Sequence, residues 1–179
     1  MRLTEQTKTN PVLADVAIEA LKPAIKNLAW MDNAFGVAWP ITDQVSGKKG
    51  VSACVYCVGN KYENIMPSAD LGNYSFFVMR NPTDVDEYGG FTYNLSLIVW
   101  VDMRKCFTNG ANRRDLENIK AELYQVINSV FPHSVFRIYD DMKNVWQGFT
   151  IDESHARFME QPYASLRFDM TIREEQPCL

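Results

Sequence analysis

The sequence predicts an α+β domain: a mostly antiparallel sheet, an N-terminal helix, and one long helix packed on the sheet. Three stretches carry that prediction. From Phe91 to Val101 the chain alternates, with Phe91, Tyr93, Leu95, Leu97, Val99 and Val101 on one face, because successive side chains of an extended strand point to opposite sides. From Tyr163 to Ile172 it alternates again, Ala164, Leu166, Phe168, Met170 and Ile172 against Tyr163, Ser165, Arg167, Asp169 and Thr171. Between them, Leu116, Ile119, Leu123, Val126, Ile127 and Val130 recur at helical spacing.

The elements follow in order. Asn10 and Pro11 suit a helix start, a capping side chain followed by a residue that needs no amide partner in the first turn. Val12, Leu13, Val16, Ala17, Ala20 and Leu21 then predict the buried stripe of a helix. Pro23 is expected to kink it, or to open a second short turn running to Leu28. The segments 34–40 and 51–58 flank the polar turn Ser46-Gly47-Lys48-Lys49-Gly50 and predict a long hairpin. That turn lacks the spacing and the following Ser or Thr of a phosphate loop. A loop is expected over 59–73, a short strand over 74–79, an acidic loop over 81–90, and then the long strand from Phe91.

Asn112 and Asp115 resemble a capping box for the long helix. That helix must end near Phe131 because Pro132 follows. A strand over 135–139, a long excursion over 140–162 with some helix near 154–159, and the final strand complete a single domain over 1–179. Such a chain is long enough to bury a core without disulfides or metal.

The 179 residues are 46% apolar and 22% charged, with a net charge of −4, so the composition is globular and the charge argues against a nucleic-acid-binding surface, which needs clustered Lys and Arg. No apolar run approaches the ~20 residues that span a bilayer, and the first ten residues lack the apolar stretch of a signal peptide. The protein is expected to be intracellular when made. Cys54, Cys57, Cys106 and Cys178 are expected as free thiols, and Cys54 and Cys57 as strand residues facing opposite sides.

Imidazole is available only from His133 and His155. The one local cluster worth testing for catalysis is Asp152, Glu153 and His155. Asp84, Asp86 and Glu87 lack the glycine and terminal glutamate of a calcium loop, and Asp140-Asp141 is similarly incomplete. No catalytic or metal-binding residue and no cofactor is assigned. Ile98 and Trp100, on the otherwise polar side of their strand, either face a second layer or form a partner surface together with Trp146 and Phe149.

The arrangement resembles the small α+β proteins at the neck and upper tail of tailed bacteriophages, in particular tail terminator or tail-completion proteins. The resemblance rests on the N-terminal helix over 10–28, the hairpin-rich sheet, the single long helix over 112–131 and the terminal strand YASLRFDMTI; 59–73 and 140–162 would be elaborations. It implies a non-enzymatic virion subunit, assembled in the host cytoplasm as a head-to-tail ring, commonly six-fold. DNA would pass through the lumen without being specifically bound, and neighbouring neck or tail proteins would be partners. The acidic residues Asp84, Asp86, Glu87, Asp140 and Asp141 would then lie near a lumen or a joint. Two other classes stay open, a monomeric adaptor or ligand-binding domain and an enzyme with a scattered site.

Overall fold

The structure, a computed structural model, describes residues 3–45, 48–85, 87, 90–106 and 113–174. In chain order the elements are α1 (Ala14–Lys26), β1 (Asn33–Val37), β2 (Trp39–Val45), β3 (Lys48–Cys57), β4 (Lys61–Asn64), β5 (Tyr74–Val85), β6 (Phe91–Asp102), α2 (Met103–Cys106), α3 (Arg113–Val130), β7 (Val135–Tyr139), α4 (Met142–Val145), α5 (Glu153–Ala156) and β8 (Tyr163–Glu174). The class is α+β, as the periodicities predict.

They form three layers. A central five-stranded sheet has the order β1-β5-β6-β8-β7, antiparallel except for β1, which runs parallel to β5. Helices α1 and α3 cover one face. Ile18, Leu21 and Ile25 of α1 and Ile119, Leu123 and Ile127 of α3 meet Tyr93, Leu95, Leu97, Val99 and Val101 of β6 and Leu166, Phe168 and Met170 of β8. A smaller antiparallel sheet, β2-β3-β4, covers the other face together with the excursion between β7 and β8.

The long helix, the strand over 135–139 and both alternating strands lie where the sequence puts them, and β6 and β8 pair along their whole length from Phe91↔Glu174 to Asp102↔Tyr163. Other elements depart from expectation for definite reasons. Helix α1 begins at Ala14, after Leu13 at φ 55°, a left-handed conformation that cannot extend a helix. Its buried face is Ala14, Ala17, Ile18, Leu21 and Ile25, leaving Val12, Leu13, Val16 and Ala20 of the predicted stripe exposed. Helix α1 continues through Pro23 to Lys26; the proline is exposed, so its missing amide falls on the side where water can satisfy the Glu19 carbonyl.

The expected hairpin is β2 with β3 alone. The chain switches sheets between Ala38, whose N–H donates to the Phe77 carbonyl at 2.8 Å, and Trp39, already paired with Cys54. Residues 34–37 are thereby drawn beside β5. The region 59–73 contains β4 and a 3₁₀ turn over Ala69–Leu71, capped by the Ser68 hydroxyl. Of the acidic loop expected over 81–90, residues 81–85 are strand, because β5 stays paired with β6 out to Val85↔Phe91 across an irregularity between Arg80 and Asp84. The excursion 140–162 carries α4 and α5.

Candidate functional site

The residues proposed from sequence as an aromatic partner surface are interior. Ile98 and Trp100 are fully buried and Trp146 is 2% exposed, so the surface reading is corrected to the second-layer one. Trp100 stacks on Tyr74 and Tyr163 at centroid distances of 5.7 and 5.1 Å, and its Nε1 donates to the Phe158 carbonyl at 2.8 Å. Trp146 packs on Phe76 and Phe149, and its Nε1 donates to Ser165 Oγ at 3.1 Å. Phe149 is partly buried against the same cluster. The excursion therefore supplies the lid of the second core, which is why its aromatic residues face inward.

The acidic candidates are not brought together. Asp84 and Glu87 are exposed at the free end of the β5–β6 hairpin, and Asp86 lies outside the described residues. Asp140 and Asp141 follow β7, whose Tyr139 pairs with Arg167 toward the start of β8, whereas the hairpin end pairs with the end of β8. The two acidic elements thus lie at opposite ends of the sheet. Asp140 is paired with Lys120 at 2.8 Å. Asp141 caps α4 by accepting from the backbone N–H and side-chain amide of Asn144, and those bonds hold its carboxyl below the ordinary range. Burial opposes the charge on Lys120, but its bonds to Asp140 and Glu117 prevail and raise its pKa.

The Asp152, Glu153, His155 cluster is a capped turn. Asp152 accepts from the backbone N–H of His155 and from Ser154 Oγ. His155 Nδ1 stands 2.8 Å from Asp152 Oδ1 without the alignment of a hydrogen bond, and Glu153 points to solvent. His133, at φ 59° after α3, has its N–H held by the Asn128 side chain. Cys54 and Cys57 occupy β3 as buried thiols outside any disulfide, only Cys57 joining the second core. Burial pushes Cys57 upward and Cys106 up to about 12, which leaves both poor nucleophiles. Cys178 lies outside the described residues. Among the described residues no three His, Cys, Asp or Glu side chains gather as a metal site. Nor is any helix there long and apolar enough to cross a membrane.

Two features escaped the sequence reading. The first is a buried charge cluster between the layers. Asp169 Oδ1 accepts from Ser96 Oγ at 2.6 Å and Arg167 Nε at 2.7 Å, and its Oδ2 accepts from Arg80 at 2.9 Å. Arg167 also donates to the Asn144 carbonyl and Arg80 to Gln147, so the cluster pins the excursion to the sheet. Its signal was available: opposite charges two residues apart on one strand share a face. The second is the way exposed apolar side chains divide. Val12 and Leu13 precede α1 and Val16 lies in its first turn, Trp39 begins β2, and Val58 and Tyr62 lie at the β3–β4 turn. At the opposite edge of the central sheet, Phe136 and Ile138 lie on β7, with Tyr124 on α3 and Met142 just after β7. Of the described large apolar side chains that are exposed, only Val85 belongs to neither group.

No protein-family model matches the chain, and no curated protein matches it at a significant level.

Proposed function

We propose that the chain is a non-enzymatic structural subunit of a tailed-phage particle, assembling head to tail into a ring at the head–tail neck or the tail end, in a terminator or completion role. The observation that carries this reading is the division of exposed apolar surface between the β1–β2 side and the β7 side of the central sheet. A two-fold dimer uses one patch twice. A ring needs two different patches that fit each other, and the two separate groups of exposed apolar side chains support that arrangement over a two-fold one.

The architecture supports the same reading. An N-terminal helix, a hairpin-rich sheet, a long helix across it and a terminal strand make up the arrangement on which the resemblance rests. The net charge of −4 suits a lumen through which DNA passes without being held. The exposed Asp84 and Glu87, at the free end of the β5–β6 hairpin, are better placed for a lumen or joint than Asp140 and Asp141, whose carboxylates are engaged within the subunit.

Negative-stain imaging of the purified chain across a concentration series tests the proposal. Closed rings, six-fold if the resemblance holds, are expected. A two-fold dimer as the largest species would overturn the head-to-tail arrangement.

A further inference from the structure

We propose that the N-terminal segment and the small sheet together form a binding site for a pyranose unit of a neutral oligosaccharide, with Trp39 and the Tyr56–Tyr62 pair as its stacking surfaces. The site goes beyond the ring reading, and a chain that stays a monomer can hold it as well. Val12, Leu13 and Val16 of the same side remain for a joint.

Strand pairing puts three aromatic residues on one face. Ala53, Val55 and Cys57 of β3 enter the second core, so Cys54 and Tyr56 between them point the other way. Trp39 of β2 is the partner of Cys54, and Tyr62 of β4 is the partner of Tyr56; directly opposed residues share a face. Trp39 and Tyr62 are 49% and 51% exposed. The Tyr56 and Tyr62 rings lie 5.1 Å apart at 55°, and the Tyr56 hydroxyl donates to Asn60 Oδ1 at 3.1 Å, which orients its ring.

The polar wall comes from the N-terminal segment. Before Trp39 the chain belongs to the central sheet, so the β2 side of β3 is taken there by residues 4–6: the Gln6 N–H donates to the Tyr56 carbonyl and the Val58 N–H to the Thr4 carbonyl, both at 3.0 Å. A cavity of about 470 Å³ lies between this segment and the three aromatic residues, lined also by Gln6, Thr7, Thr9 and Asn10, all exposed. Such a volume suits a small ligand.

The charges around the cavity are matched within the chain. Glu5 accepts from the Gly36 N–H and pairs with Lys22, Lys8 pairs with Asp15, and Lys61 pairs with Glu63. An ammonium ligand or a nucleic-acid strand would gain most from an unmatched charge of the opposite sign. What the cavity offers instead is aromatic faces bordered by amides and hydroxyls. A pyranose fits that combination. One side of its ring presents C–H groups, which the electron-rich face of an aromatic ring attracts, and its rim carries hydroxyls, which both donate to and accept from amides and other hydroxyls.

The test is saturation-transfer NMR on the full native chain with neutral oligosaccharides of glucose, mannose, galactose and N-acetylglucosamine. At least one should bind with a dissociation constant of about 1 mM or tighter, taking up saturation mainly at the C–H protons of one ring face. Trp39→Ala and Tyr62→Ala should each weaken that binding at least about tenfold. Trp39→Tyr keeps an aromatic face and should retain most of it, which separates loss of stacking from loss of the fold. Tyr124→Ala, removing an exposed ring of α3, should change nothing. The site is overturned if none of these sugars binds at about 10 mM, or if Trp39→Ala binds as the native chain does. It is equally overturned if tetramethylammonium or a single-stranded oligonucleotide proves the tighter ligand of the Trp39 cavity.

Discussion

The two faces of the central sheet are built on different principles. On the helix side the core is a continuous apolar cluster, from Ile18, Leu21 and Ile25 of α1 through Leu95, Leu97 and Val99 of β6 to Phe168 of β8. On the other side aromatic rings share the interface with a carboxylate, two guanidiniums and buried hydroxyls. The helix face requires only that apolar residues recur with the right period, because burial is non-directional. The second face requires partners: each polar group must find another at hydrogen-bonding distance, often one far away in the chain. Arg80 meets Asp169 across 89 residues and Ser96 meets it across 73.

The largest expected effect strikes that difference directly. Asp169→Ala would leave Arg167, 3% exposed, without its carboxylate, and should destabilise the fold by about 3–5 kcal/mol in urea denaturation. Replacing Arg167 and Asp169 together by Met and Leu should cost less than the single change, because Arg80, 34% exposed at its side chain, can turn to solvent once both buried charges are gone. A double change costing as much as Asp169→Ala would show that the cluster contributes by shape rather than by charge.

Phe168→Ala, on the helix face beside Asp169, should cost a similar or slightly smaller amount, about 3–5 kcal/mol, and a second apolar residue of like volume should recover most of it. No apolar residue should recover Asp169→Ala while Arg167 remains. Gly36→Ala should come next, losing about 1.5–3 kcal/mol. The Gly36 N–H donates to both carboxylate oxygens of Glu5 at 2.9 Å, and a Cβ there would stand 2.6 Å from one of them, forcing Glu5 off that N–H.

The smallest effect is in acid. Side-chain hydrogen bonding from Arg104 holds the Asp102 carboxyl below its ordinary value of 3.8, against the opposing pull of burial. A carboxyl whose folded pKa is depressed contributes stability that is complete above its unfolded pKa and is lost as pH falls through the lower folded value. Thermal midpoints should therefore decline below about pH 4, and Asp102→Asn should flatten the Asp102 share of that decline.

What the sequence made legible follows the same division. Alternation from Phe91 and from Tyr163, and the stripe from Leu116 to Val130, placed the helix face correctly because each was its own evidence. The parallel pairing of β1 with β5 and the strand β4 were not legible, since no local pattern encodes which edge a strand joins. Val12, Leu13 and Val16 fit a helical stripe as well as the residues that are buried, and only the docking of α1 on β1 decides between the two faces. Ile98 and Trp100 were visibly odd on a polar face, but what covers them comes from Trp146 and Phe158, far along the chain. Exposed Asp84 was legible, whereas the exposure of Phe136 on β7 was not, because alternation along one strand does not say which face stays uncovered.

The most direct measurement of the central claim is sedimentation of the full native chain over a concentration series, fitted for the stoichiometry of its largest species. The head-to-tail account predicts a single closed multiple of more than two chains that grows at the expense of the monomer. A sample that remains one chain, or stops at two, at the highest concentration would contradict it.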